Sequence, residues 1–201
     1  MSETVEGLPL VLASTSPRRA DLVRSLALPF TVLDPGVSDA AEAAILEAGR
    51  RVGLSTARIV TRVALAKLLA GIRRVPPGHP VLAADTVVAF DGVLLGKAKD
   101  REGARACLSA LRGRRHDVVT GVALTSARGQ LSTGVATSVV AFREFDDHAL
   151  ATFLDTGCWQ GKAGAYGVQD PEAALLVERV EGSDSNARGL PLELVSELRE
   201  G

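Results

Sequence analysis

An aspartate stands in the middle of a long apolar run. Asp85 interrupts Val81-Leu82-Ala83-Ala84-Asp85-Thr86-Val87-Val88-Ala89-Phe90, which otherwise reads as a strand buried on both faces. A carboxylate in such a place needs a cation, hydrogen bonds or a raised pKa to offset the loss of water. Two readings fit it. Either it is a strand-end aspartate satisfied by turn hydrogen bonds, or it holds a metal ion or takes a proton from water. A second anomaly lies in Ala13-Ser14-Thr15-Ser16-Pro17-Arg18-Arg19. Ser16 is a good N-cap and Pro17 suits the first helical position, so Arg18 and Arg19 fall in a first turn, where cations meet the positive end of the helix dipole. Hydroxyls, free N–H groups and two guanidinium groups at a strand-to-helix turn make an anion site, with phosphate the natural occupant. The alternative is that both arginines face solvent or pair with a nearby carboxylate.

Three further positions complete the set. Lys97 follows Leu95-Gly96, where the glycine allows close backbone approach. Lys67 lies at helical spacing from Val60, Val63 and Ala64, so it borders an apolar face and either snorkels or points into a cleft. Gln169 ends Gly161-Lys162-Ala163-Gly164-Ala165-Tyr166-Gly167-Val168-Gln169, and its amide offers the paired donor and acceptor that recognise a base edge. No Walker-type lysine loop, dinucleotide-binding glycine fingerprint or HExxH zinc signature is present, and the serines form no triad with the histidines.

The elements that must position these residues alternate in type. Leu8–Ala13 reads as a buried strand, Arg18–Leu26 as a helix and Phe30–Leu33 as a strand. An alanine-rich helical region spans about Ala40 to Arg74, broken near Gly49 and Gly53, and Pro76-Pro77-Gly78 ends it. Val81–Phe90 is a strong strand, Asp91-Gly92 a hairpin signal and Val93–Leu95 the return strand. Then come a helix from about Asp100 to Leu111, strands near His116–Leu124 and Leu131–Phe145, and a helix near Asp146–Asp155. After the glycine-rich loop, a strand is expected near Ala173–Val180 and a last helix from about Pro191. The order predicts a single domain over residues 1–201, α/β or α+β, with α/β preferred: a mixed twisted sheet with flanking helices.

Composition limits the functional classes. The net charge of −1 gives no chain-wide attraction to nucleic acid or to an anionic membrane, so any positive site is local. Aromatics make up only 3%, too few for the stacking surfaces of a nucleic-acid module. Cys107 and Cys158 have no metal-type spacing and do not make a disulfide framework, so reduced thiols are expected. The apolar runs fall short of a membrane span and no leader pattern opens the chain, which makes the cytoplasm the expected location.

Assembled in order, these motifs resemble the Maf family of nucleoside triphosphate pyrophosphatases over nearly the whole length. The resemblance is carried by Leu12-Ala13-Ser14-Thr15-Ser16-Pro17-Arg18-Arg19, Ala84-Asp85-Thr86-Val87-Val88 and Leu95-Gly96-Lys97. His116-Asp117-Val118-Val119-Thr120-Gly121, Lys162 to Gln169 and Gly189-Leu190-Pro191-Leu192 add to it. It implies a house-cleaning enzyme that splits nucleoside triphosphates into monophosphate and pyrophosphate. It also implies a divalent cation (Mg or Mn), two lobes around a central cleft as in inosine-triphosphatase-like folds, and a homodimer. By position, Asp85 matches the family's proton acceptor. Ser14, Arg18, Arg19, Lys67 and Lys97 match residues lining the phosphate site, and Asp39 matches an acidic position expected to share the metal with Asp85. Arg18, Thr86 and Gln169 agree with the subgroup resembling dTTP/UTP pyrophosphatases and differ from the one preferring 7-methyl-GTP. A regulatory nucleotide-binding protein with incidental hydrolysis is the other alternative. Two departures stand out: Ala98 replaces the proline that usually follows Lys97, and Asp184-Ser185-Asn186-Ala187-Arg188 replaces small apolar residues.

Overall fold

A computed structural model describes residues 8–200. Seven strands form one mixed sheet: β1 (Leu10–Ala13), β2 (Phe30–Leu33), β3 (Val81–Phe90), β4 (Val93–Leu95), β5 (Arg115–Thr125), β6 (Leu131–Phe142) and β7 (Val177–Glu181). Their order across the sheet is β2-β1-β3-β5-β6-β7, with β4 paired to β3. β1 runs parallel to both β2 and β3, whereas β3–β4 and β6–β7 are antiparallel. The helices are α1 (Pro17–Arg24), α2 (Asp39–Arg51), α3 (Thr56–Ile72), α4 (Arg101–Leu111), α5 (Asp147–Asp155), α6 (Asp184–Ala187) and α7 (Leu192–Glu200). The expected mixed sheet with flanking helices is what the chain forms.

By contacts the chain divides into two compact units. One runs through Asp85 and adds Gly121–Val135 and the stretch from Leu192; the other comprises Thr86–Thr120 and Ala136–Pro191. In the first, α3 buries Ile59, Val60, Val63, Ala64, Leu68 and Gly71, and the same stripe contains Lys67. This face packs on Val11, Ala13, Val81, Ala83 and Ala123. Two glycines set how near α3 comes to the strands. A Cβ on Gly71 would lie 2.8 Å from the Ala13 Cβ, and one on Gly121 would lie 2.7 Å from the carbonyl carbon of Val60. The second unit has its own core, in which Leu108, Leu111, Phe142, Phe153 and Tyr166 meet. Cys107 is half-buried on α4 beside this core, and burial pushes its thiol up to about 11.

Some boundaries differ from the sequence expectation. The helical region does break at Gly53, which adopts φ +70°, but Gly49 lies inside α2. Its missing side chain admits Ile59, whose Cγ1 would sit 2.7 Å from a Cβ there. The strand expected near Ala173–Val180 begins only at Val177. Pro171–Leu175 form a 3-10 helix instead, started by Pro171 in its first turn and held by Ala173 N–H to Asp170 O at 2.9 Å. β6 ends at Phe142 because Phe145 turns into the second core. The departure at Asp184 to Arg188 is a short capped helix. Asn186, fully buried, donates to Val118 O at 3.0 Å and to Ser138 Oγ at 2.9 Å, bonds that an apolar residue could not make.

Candidate active site

The Asp85 anomaly is resolved by a cation. Strand alternation turns its carboxylate toward α3, where Lys67 Nζ lies 2.7 Å from Oδ1. The same ammonium is 2.9 Å from Oε1 of Glu42 on α2. All three side chains are largely out of water. Lys67 therefore does not snorkel, and its charge is spent inside the unit between two carboxylates.

Arg19 belongs to this cluster. The turn after β1 is shaped by Ser14, which is buried and accepts from Ser16 N–H at 3.2 Å while its own N–H reaches Leu33 O at 3.0 Å. Ser16 is the N-cap by position, yet its side chain makes no capping bond. The helix that follows buries Arg19 and leaves Arg18 half-buried. Burial holds the Arg19 guanidinium below its usual pKa, Asp85 and Glu42 oppose that shift, and Arg18 adds to it. Of the two readings of these arginines, Arg19 thus has carboxylates within electrostatic reach. Two buried cations, Arg19 and Lys67, thus meet buried Asp85 and half-buried Glu42, and half-buried Arg18 acts on Arg19.

Glu42 escaped the sequence reading. On an alanine-rich helix an acid in the first two turns reads as a dipole complement on the wet face. The only hint was its position three residues after Asp39, on the same side of the helix. Asp39 itself is the first residue of α2 and is exposed. Among the described residues no group of three or more His, Cys, Asp or Glu side chains gathers as a metal site would require. Asp85 and Glu42 nevertheless supply two hard oxygen donors, as many as Mg²⁺ commonly takes from protein when substrate phosphates complete its shell. The donor set fits a divalent cation of that kind.

The remaining expected residues lie in the second unit. Thr86 projects to the face opposite Asp85, donates to Gly189 O at 3.2 Å and lies 2.9 Å from Thr120 Oγ1. Lys97 is exposed and forms an antiparallel bridge with Ala163, while Gly164 N–H donates to Gly96 O at 3.1 Å. Ala98, where proline was expected, packs against the second core. The same glycine-rich loop ends on Gln169, so backbone pairing joins the Lys97 and Gln169 segments. Lys67, Asp85 and Arg19 are thus brought together in one unit, and Lys97 and the Gln169 loop in the other. A buried pair was not foreseen: His116 Nε2 lies 2.6 Å from Tyr166 Oη, and Nδ1 has no partner. Burial lowers the His116 pKa to about 4 and raises that of Tyr166.

Comparison with known proteins adds an independent line. A family model described as "Maf-like protein" matches residues 9–200. The dTTP/UTP pyrophosphatase of Burkholderia pseudomallei is 43% identical over 90% of this chain and 87% of that protein. That of Rhodospirillum rubrum is 42% identical over 94% and 86%, and that of Yersinia pestis 40% identical over 94% and 90%. Among solved structures, a nucleoside-triphosphatase / dITP/XTP pyrophosphatase from Mycobacterium abscessus covers 69% of this chain and 76% of its own, at 18% identity and TM-score 0.44, too distant to carry an argument.

Proposed function

The chain belongs to the Maf family, and from that premise we propose that it hydrolyses the α–β phosphoanhydride bond of nucleoside triphosphates, dTTP and UTP foremost. The products are the nucleoside monophosphate and pyrophosphate, a house-cleaning activity. The observation that carries this reading is the buried charge cluster: Lys67 held between Asp85 and Glu42, with Arg19 beside them. A carboxylate paired with cations suits phosphoryl chemistry, which depends on positioning and electrostatics more than on an activated nucleophile.

In this mechanism Asp85 orients the attacking water toward the α phosphorus and accepts its proton. Lys67 holds the Asp85 carboxylate in place through its ion pair. Arg18 and Arg19 neutralise charge on the phosphate chain, with the Ser14 to Ser16 turn offering hydroxyl and N–H donors. Asp85 and Glu42 would hold the Mg or Mn ion, with Asp39 at the start of the same helix a further acid for it; when bound, that ion supplies charge neutralisation on the phosphate oxygens. Lys97, Thr86 and Gln169 keep the substrate-facing roles that the family pattern implies. The enzyme is read as a cytoplasmic homodimer acting on free nucleotides, with neither nucleic acid nor a membrane as partner.

A panel of nucleoside triphosphates incubated with Mg²⁺ or Mn²⁺ and scored for pyrophosphate against orthophosphate tests the proposal. Pyrophosphate release, fastest with dTTP and UTP, is expected. Orthophosphate points to another hydrolase, binding without turnover to a regulator, and preference for 7-methyl-GTP to the other subgroup.

A further inference from the structure

Loop 161–170 is built on an ion pair. The side chains of Lys162 and Asp170 are joined and mostly out of water. The other carboxylate oxygen, Asp170 Oδ1, accepts from Gln169 Nε2 at 2.9 Å. Gln169 Oε1, in contrast, is buried and has no partner. A glutamine amide has two orientations of nearly identical shape, chosen by what surrounds it. Beside Asp170 the two are far from equal. One turns an N–H to a carboxylate in a charge-assisted bond, and the other sets two oxygens against each other. Asp170 therefore decides which end of the amide is left for anything else, and that end is an acceptor. A buried acceptor without a donor is destabilising, and a ligand N–H placed against Oε1 would relieve that.

We propose that Asp170 is a positioning residue that pins the Gln169 amide with Oε1 toward the nucleobase, selecting bases that present an imide N–H. Uracil and thymine carry that hydrogen on N3, whereas cytosine presents a lone pair at the same ring position and meets Oε1 acceptor to acceptor. The inference rests on the pyrophosphatase reading above and deepens it, since it assigns the discrimination between pyrimidines to a residue whose carboxylate bonds Gln169 and Lys162. It also revises the sequence expectation for Gln169: one N–H of its amide is committed within the protein, so its oxygen is what reads the base.

The test compares kcat/KM for UTP and CTP in the wild-type enzyme, Asp170→Asn and Lys162→Gln. Asparagine can turn its own amide to suit either orientation of Gln169, so the pin is lost. The UTP-to-CTP ratio should fall about tenfold or more in Asp170→Asn, mainly through KM, with kcat for UTP changed much less. Lys162→Gln breaks the ion pair but leaves the carboxylate on Gln169, and it should keep the wild-type ratio. If Asp170→Asn does not fold, Asp170→Ser, whose hydroxyl also serves either orientation, should give the same fall. An unchanged ratio in the folded Asp170 variant overturns the inference, as does an equal fall in Lys162→Gln. A wild-type enzyme that turns over neither nucleotide overturns the reading beneath it and this inference with it. A UTP preference that survives the loss of Asp170 overturns this inference alone.

Discussion

Replacing Lys67 by methionine keeps the length of the side chain and removes the charge between Asp85 and Glu42. The two carboxylate oxygens lie 2.7 and 2.9 Å from the same ammonium nitrogen. Their separation is therefore at most about 5.6 Å, the sum of the two contacts, and at an effective dielectric of about 20 two unit charges there repel by roughly 3 kcal/mol. The side chains are 8% exposed for Asp85 and 16% for Glu42, so solvent screens this little. Arg19 offsets part of this repulsion. For a chain of 201 residues such a loss corresponds to a fall in Tm of about 6–12 °C. Thermal melts of the wild-type and Lys67→Met proteins at pH 8 measure this. An unchanged Tm would refute the cluster as described.

Three other outcomes follow from the same geometry. Asp85→Asn should stay folded and bind nucleotide while kcat falls by orders of magnitude; near-normal turnover would remove Asp85 from the chemistry. Wild-type stability should drop as the pH falls from 6.5 toward 4, because His116 is held neutral with a pKa near 4 in the folded state and takes up its proton only on unfolding. That share, at most about 3 kcal/mol, should vanish from urea titrations of His116→Phe, and an identical acid slope in both proteins would exclude it. Gly121→Ala places a Cβ 2.7 Å from the α3 backbone and should cost about 1–3 kcal/mol, read as a lower urea midpoint; an unchanged midpoint would mean that α3 can retreat from β5.

What could be read from the sequence was whatever breaks a local rule. Asp85 in an apolar strand and Arg19 in a first helical turn were visible because neither suits its element, and both end up in the buried cluster. Their partners obeyed local rules and stayed hidden. Glu42 is unremarkable on a helix such as α2, and only the packing of α2 against α3 brings it to Lys67. Asp170 looks like an ordinary loop acid until Lys162 and Gln169 close on it. The same division holds for the backbone. Gly53 needs φ +70° and breaks the helix as expected, whereas Gly49 answers to Ile59, a contact that no window of sequence contains. At Ala173 the apolar residues suggested a strand, and Pro171 two positions earlier decided for a 3-10 turn.

The central claim is that water attacks the α phosphorus at Asp85. Hydrolysis of UTP in water enriched in ¹⁸O, followed by mass spectrometry of both products, tests it most directly. The account predicts that the label enters UMP and leaves pyrophosphate unlabelled. Label in pyrophosphate, or orthophosphate as the labelled product, would contradict it.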